Sequence, residues 1–189
     1  MFWQSDKELV LWCVIAGASF VAAVFDIRTR RIPNALCGPL FLAGLVRAVQ
    51  LGRLDGLTEA VIGSVLLAGP FLILFALGKG GAGDAKLMGA IGTWAGLEHG
   101  VVVLVCVCVA GAVLAVATAV AGRQLKAVII GMWMIVRGAA GAVLGGTRTK
   151  PAEDGSGFGE DSKFAYPYAA AIFAGVCLAG AFEYLWKAQ

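Results

Sequence analysis

Two aspartates in this chain, Asp26 and Asp84, stand where carboxyl groups could do chemistry. Each lies at the junction between a long apolar segment and a basic connection: Asp26 ends the first such segment and Asp84 begins the fourth. An ionisable residue in a segment that can cross a membrane is costly and is usually functional. The other ten acidic residues fall in outer segment ends, outer loops and one acidic stretch: Asp6, Glu8, Asp55, Glu59, Glu98, Glu153, Asp154, Glu160, Asp161 and Glu183.

Two carboxyl groups that share a site suit aspartic hydrolysis. The ionised group takes a proton from water while the protonated group polarises the carbonyl to be cleaved. Packing the first and fourth segments side by side would bring Asp26 and Asp84 together, but periodicity alone leaves that contact open. Asp84 lies at a helix N-terminus, where the macrodipole favours negative charge, whereas Asp26 lies at a C-terminus, where the macrodipole opposes it. This contrast predicts Asp84 as the base and Asp26 as the proton carrier.

A glycine-rich stretch, residues 77–87, leads into Asp84. Gly81 and Gly83 allow a tight turn and the close approach of another part of the chain. Asp84 can then cap the first turn of a helix, and a simple cap is the alternative interpretation of this residue. The stretch also fits the pattern G-x-G-x-x-G, but it follows an apolar helix and not a strand, so nucleotide binding is not predicted.

The elements that must position these residues are membrane helices. The chain has 189 residues, of which 60% are hydrophobic and 14% charged, and its mean hydropathy is +0.86, beyond what a soluble core of this length can bury. Apolar runs of about 20 residues predict helices that cross the bilayer. The predicted fold class is an all-α, polytopic membrane helix bundle. About six transmembrane helices are predicted, at residues 9–25, 33–51, 57–77, 84–97, 99–121 and 166–186.

The basic residues predict the orientation. With six spans, eleven of the fifteen lysines and arginines fall on one side, which the positive-inside rule assigns to the cytoplasm. Both termini are then outside, and the protein is expected in the inner (cytoplasmic) membrane with its aspartates at the cytoplasmic face. The eleven residues are Arg28, Arg30, Arg31, Lys79, Lys86, Arg123, Lys126, Arg137, Arg148, Lys150 and Lys163.

Residues 123–150 combine features of a membrane span with features of a cytoplasmic segment. Residues 127–146 are apolar enough to cross the membrane, but Arg137 lies near their middle and basic residues flank both ends. Residues 123–150 are therefore predicted to be an interfacial or re-entrant segment. Residues 151–162 are acidic and glycine-containing, and are expected to form a mobile cytoplasmic loop. The whole chain, residues 1–189, is expected to be one integral membrane domain.

The cysteines and the single histidine exclude other chemistries. The five cysteines all lie in apolar segments without a C-x-x-C spacing, so neither a metal site nor a cofactor is predicted. A serine or cysteine hydrolase would have to use His99, which is predicted at the opposite side of the membrane from the basic connections. Nothing in the composition points to nucleic acid.

Three motifs together resemble the type IV prepilin peptidases, which are membrane aspartic proteases of the G-x-G-D kind. The first is Asp26 with the sequence R-R-I-P-N at residues 30–34, the second is G-A-G-D-A-K-L at residues 81–87, and the third is Y-P-Y at residues 166–168. The resemblance is closest to the short forms that serve Flp/Tad pilus or archaellin-type systems. Longer members carry a cytoplasmic domain with paired C-x-x-C motifs and also N-methylate their product, and the chain has no room for that domain between Asp26 and Pro33.

The resemblance implies that Asp26 and Asp84 are catalytic and that no cofactor is used. It also implies a prepilin-like membrane protein as the substrate, with a short basic leader, a cleavage site at the cytoplasmic face and an apolar helix beyond it. The lipid bilayer is the other expected partner, and the sequence indicates no oligomeric state. Substrate-binding or loop positions are expected at Pro33, Asn34, Gly81, Gly83, Lys86, Tyr166 and Pro167.

Two other functions use the same residues. An ion-coupled transporter subunit could carry two aspartates at one membrane face, and would conduct ions without cutting a peptide. A non-catalytic pilus assembly factor would tolerate asparagine at both positions. A cleavage assay with a prepilin-like substrate separates these alternatives from a peptidase.

Overall fold

The computed structural model describes residues 2–29, 31–76, 81–121 and 168–187. These residues form four helices: α1 (Phe2–Thr29), α2 (Asn34–Ala76), α3 (Ala82–Ala121) and α4 (Tyr168–Lys187). Each of the four is long and apolar enough to cross a membrane, as expected for a multi-pass membrane protein. The all-helical membrane fold predicted from the sequence is confirmed, and the number of crossings, about six, stays a prediction.

Two of the helices are each broken at one residue. Arg53 in α2 has φ 52° and ψ −128°, and Gly96 in α3 has φ 64° and ψ −160°. A side chain added to Gly56 would meet the backbone carbonyl of Ala48, although eight residues of straight helix would hold these positions about 12 Å apart. The chain therefore folds back on itself at Arg53, within the region where an outer loop was predicted.

Close helix contacts build the core beneath the aspartates. A Cβ atom on Gly63 of α2 would lie 2.6 Å from the backbone oxygen of Gly92 and 2.5 Å from that of Gly96, both in α3. Only glycine at this crossing lets two backbones approach so closely. Leu87 and Ile91 of the same part of α3 are fully buried, so the helix that begins beside Asp84 is enclosed by its neighbours.

The first and last helices of the described chain pack together. The rings of Phe20 in α1 and Phe173 in α4 meet edge to face with their centroids 5.4 Å apart. Further along, a Cβ atom on Gly180 of α4 would lie 3.1 Å from the ring of Trp12 in α1. This pairing lays the end of α1, which carries Asp26, against the start of α4.

The chain divides into two compact units, residues Met1–Gly111 with Pro167–Gln189, and Ala112–Tyr166. Of the second unit, the structure describes residues 112–121, the last turns of α3. The predicted interfacial segment at 123–150 and the predicted mobile loop at 151–162 lie outside the described residues. The single membrane domain stays a prediction, and every feature described below belongs to the first unit.

Candidate active site

Asp26 lies in the last turn of α1 and is half-buried. Its Oδ2 atom accepts a hydrogen bond of 3.2 Å from the backbone N–H of Ala169. Ala169 is the second residue of α4, and the N–H groups of a helix's first turn have no acceptor within their own helix. Asp26, which belongs to α1, therefore provides an acceptor for one of the N–H groups at the start of α4. This hydrogen bond fixes the position of the Asp26 carboxyl group.

Tyr168 anchors the start of α4 at this contact. Its ring packs edge to face on Phe71 of α2, with the centroids 5.7 Å apart. On its other side the ring lies against α3, where a Cβ atom on Gly111 would be 2.8 Å from the Tyr168 Oη atom. The absence of a side chain at Gly111 thus makes room for the phenol, and two helices hold the residue that precedes the Ala169 amide.

Asp84 lies in the first turn of α3, where the two preceding glycines have different roles. A Cβ atom on Gly81 would lie 2.8 Å from Asp84 Oδ2, so this glycine leaves space for the carboxyl group. The carbonyl of Gly81 also accepts a hydrogen bond of 3.5 Å from the Ala85 N–H. Gly83 faces Ile32, whose Cβ atom would be 3.2 Å from an added Cβ, and so lets α3 begin close to the connection before α2.

The two aspartates lie within electrostatic reach of each other although 58 positions separate Asp26 from Asp84 in the sequence. The charge of Asp84 also acts on the Tyr168 phenol. The end of α1, the start of α3 and the start of α4 therefore converge on one region, a proximity that periodicity alone had left open.

Lys86 and Asn34 join the starts of α3 and α2 beside the aspartates. Lys86 Nζ donates a hydrogen bond of 3.0 Å to Asn34 Oδ1. The carbonyl of Pro33 accepts bonds from the N–H groups of Leu36, at 3.0 Å, and of Cys37, at 3.4 Å, and so forms the first turn of α2. Their role as substrate-binding or loop positions stays a prediction, and Tyr166 and Pro167 lie outside the described residues.

Two features of the site were missed by the sequence analysis. The Ala169 contribution is a backbone N–H, and no side-chain pattern marks such a donor. Asp84 was predicted as the base and Asp26 as the proton carrier from the ends of α3 and α1 alone. Asp26 also lies against the start of α4. Because both aspartates thus lie at helix N-termini, the macrodipole contrast does not assign the base and the proton carrier.

Comparison with known proteins gives one family. Residues 13–116, more than half of the chain, match the model of the type IV leader peptidase family. The matched region contains both aspartates, α2 and most of α3, and ends before α4.

Curated relatives agree with this match. The chain is 34% identical over 132 residues to a prepilin leader peptidase/N-methyltransferase of Burkholderia pseudomallei (strain 1026b), covering 66% of this chain and 42% of that protein. It is 29% identical over 137 residues to the protein of the same name in Escherichia coli (strain K12), covering 64% of this chain and 60% of that protein. For the protein of that name in Xanthomonas campestris pv. campestris, the identity is 31% over 118 residues, covering 59% of this chain and 40% of the relative.

The match thus spans between 40% and 60% of the length of these relatives. No solved structure matches it. The family match across α1, α2 and α3 is sufficient for an assignment, and the chain belongs to the type IV leader peptidase family.

Proposed function

We propose that this protein is a membrane aspartic endopeptidase that removes the short basic leader from prepilin-like proteins at the cytoplasmic face of the inner membrane. The observation that carries the proposal is the convergence of Asp26 and Asp84, from two different helices, within electrostatic reach of each other. The names of the relatives, which are prepilin leader peptidases, support the substrate class.

A pair of carboxyl groups can cleave an amide bond without a covalent intermediate. The ionised carboxylate takes a proton from water as the water oxygen attacks the scissile carbonyl carbon. The protonated carboxyl group gives its proton to the carbonyl oxygen, which forms a tetrahedral diol. When the C–N bond breaks, the proton taken from water passes to the departing nitrogen and a diol proton returns to the second carboxylate, so the pair ends in its starting state.

The surrounding residues fit these steps. The hydrogen bond from the Ala169 N–H engages Asp26 Oδ2, which leaves Oδ1 of the same carboxyl group for water or substrate. Gly81 keeps the space beside Asp84 Oδ2 free of a side chain. The site therefore combines a carboxyl group held by a backbone donor with a second carboxyl group that has no side chain from Gly81 against it.

The test is cleavage by the purified chain in detergent of a prepilin-like protein with a short basic leader. We expect one shortened product, with its new N-terminus at the leader boundary by N-terminal sequencing. Asp26→Asn and Asp84→Asn should each abolish the product while helix content, measured by circular dichroism, stays unchanged. A chain that leaves the substrate intact but carries ions across vesicles would instead be a transporter. Unchanged cleavage in both asparagine variants would rule out the aspartic mechanism.

A further inference from the structure

An open cavity of about 590 Å³ has Ala85, the residue after Asp84, in its lining. It is bordered by both segments of α2 and by the start of α3, and its volume is within the roughly 300–1,000 Å³ of pockets that hold a ligand. The proposed mechanism uses none of its lining. Gly38 and Phe41 line it from the first segment of α2, Ser64 and Ala68 from the second segment, and Ala85 and Gly89 from α3.

The cavity has one end near Asp84 and extends along the helices. Its α3 wall starts at Ala85, the residue after Asp84, and Cys37 in its lining is within electrostatic reach of Asp84. Its α2 walls run over residues 34–42 in the first segment and 64–72 in the second, and eight residues of helix correspond to about 12 Å. The cavity is therefore a groove, about two helical turns long, with one end near Asp84.

The lining changes character along the groove. Lys86 and Asn34, linked by their hydrogen bond, lie at the end nearest Asp84. The floor is made of small residues, since a Cβ atom on Gly89 would lie 3.4 Å from both the Ala68 Cβ and the Ser64 Oγ. Small residues at such a floor let the backbone of another helix approach closely. A lipid chain has no peptide backbone, so it would not make this kind of contact.

We infer that this groove binds the first two turns of the apolar segment that follows the scissile bond of the substrate. The inference rests on the proposed function. An apolar segment in lipid must satisfy its own backbone hydrogen bonds and is therefore helical, and two turns of helix have the length of the groove. The groove then aligns the scissile bond with the aspartates, because its wall continues from Asp84.

Replacing Gly38 with a larger residue would fill the groove. It lines the cavity, and a Cβ atom added to it would meet nothing within 4 Å, so a larger side chain fits without displacing the fold. Gly17 of α1 is a matched control, because it too has nothing within 4 Å of an added Cβ and lies away from the groove. The two variants are Gly38→Leu and Gly17→Leu.

The experiment measures kcat/KM for two substrates, a full prepilin-like protein and the same leader with only two residues after the scissile bond. The ratio of the two kcat/KM values reports what the apolar segment contributes. Gly38→Leu should reduce this ratio about tenfold or more, the effect of losing one buried apolar side chain, and Gly17→Leu should leave it unchanged. A lipid chain in the groove would affect both substrates alike, so an unchanged ratio in Gly38→Leu overturns the inference. A wild-type chain that cleaves neither substrate overturns the proposed function and the inference with it.

A second measurement does not depend on a bulky variant. Cys37 lines the groove, whereas Cys13 is exposed on α1. In the Asp84→Asn chain, which should hold the substrate uncut, a cysteine placed four residues after the scissile bond should form a disulfide bond under mild oxidation. The crosslink should disappear when Cys37→Ser is added and persist with Cys13→Ser. A crosslink that survives Cys37→Ser contradicts the inferred position of the segment.

Discussion

The two ends of the first unit hold carboxyl groups in different surroundings. At the histidine end, formed by Trp12, His99 and Glu183, Glu183 Oε1 lies 3.3 Å from His99 Nδ1, and the His99 ring packs edge-on against Trp12 with centroids 6.0 Å apart. At the aspartate end, the charge of Asp26 acts on Asp84. Within the described ranges, no lysine or arginine forms a salt bridge with either aspartate.

The difference indicates what each end is for. The Glu183 carboxylate and the His99 imidazole link α4 to α3. A carboxylate that is paired in this way is not placed to exchange protons with a substrate. Two carboxyl groups within electrostatic reach of each other have the opposite character, because the charge of one favours a proton on the other, as the proposed mechanism requires. The same helices, α1 and α4, connect the two ends, so identical kinds of substitution can be compared between them.

The largest expected difference comes from neutralising one carboxyl group at each end. Asp26→Asn or Asp84→Asn should lower kcat/KM for a prepilin-like substrate by at least about 10²–10⁴, the contribution of general acid–base catalysis. Glu183→Gln should leave kcat/KM unchanged and lower the free energy of unfolding by about 1 kcal/mol, the worth of one polar contact. Product formation on gels and a denaturant titration in detergent measure the two effects. Loss of cleavage in Glu183→Gln would break the division between the ends.

A smaller difference is expected from adding one methyl group that contacts Tyr168 at the start of α4, and another on Gly180 towards the other end of α4. Gly111→Ala places a Cβ atom 2.8 Å from Tyr168 Oη, and Gly180→Ala places one 3.1 Å from the Trp12 ring. Gly111→Ala should shift the start of α4 and so lower kcat several-fold through the Ala169–Asp26 hydrogen bond. Gly180→Ala should leave kcat unchanged and lower the free energy of unfolding by about 1 kcal/mol, as mild overpacking does.

The control for this pair is Gly69→Ala, because an added Cβ there meets nothing within 4 Å. It should leave kcat unchanged and raise the free energy of unfolding by up to about 1 kcal/mol, because alanine is the better helix former. Equal kcat in Gly111→Ala and Gly180→Ala would mean that the position of Tyr168 does not matter to Asp26.

The smallest effects should come from removing one polar group of an aromatic ring. Trp94→Phe loses the hydrogen bond of 2.8 Å from Trp94 Nε1 to the Leu40 carbonyl, and should lower the free energy of unfolding by about 1 kcal/mol with kcat/KM unchanged. Tyr168→Phe keeps the ring contact with Phe71 and removes the hydroxyl group on which the charge of Asp84 acts. It should lower kcat/KM by less than about tenfold, the equivalent of about 1.4 kcal/mol, because one polar group near Asp84 is lost. A Tyr168→Phe variant with full activity would restrict the phenol to a packing role.

Much of the fold follows from the sequence because the bilayer leaves few choices. Long apolar runs can only be helices there, and the predicted boundaries near Pro33, Asp84 and Tyr166 fall close to the observed starts of α2, α3 and α4. The turn at Arg53 was predicted as a loop, since charged residues interrupt the apolar pattern. The structure keeps the charged residues in helix and turns the chain at one residue with positive φ.

The site was predictable only in part. Asp26 and Asp84 were identified by elimination among the carboxylates, because few acidic residues stand where an apolar helix begins or ends. Their meeting depends on which helices are neighbours, and apolar periodicity carries no information about neighbours when lipid surrounds the helices. The Ala169 amide and the groove beside Asp84 depend on backbone placement, which residue types do not record.

The hydrogen bond between Asp26 and Ala169 also sets an order in time. The two residues lie 143 positions apart, and a ribosome adding about 5–20 residues per second needs roughly 7–30 s to pass from one to the other. Over the last 85 of these 143 positions, a nascent chain already carries both aspartates but lacks the amide that fixes Asp26. A chain that has not yet reached α4 lacks this contact, so Asp26 acquires its backbone donor only when α4 has been synthesised.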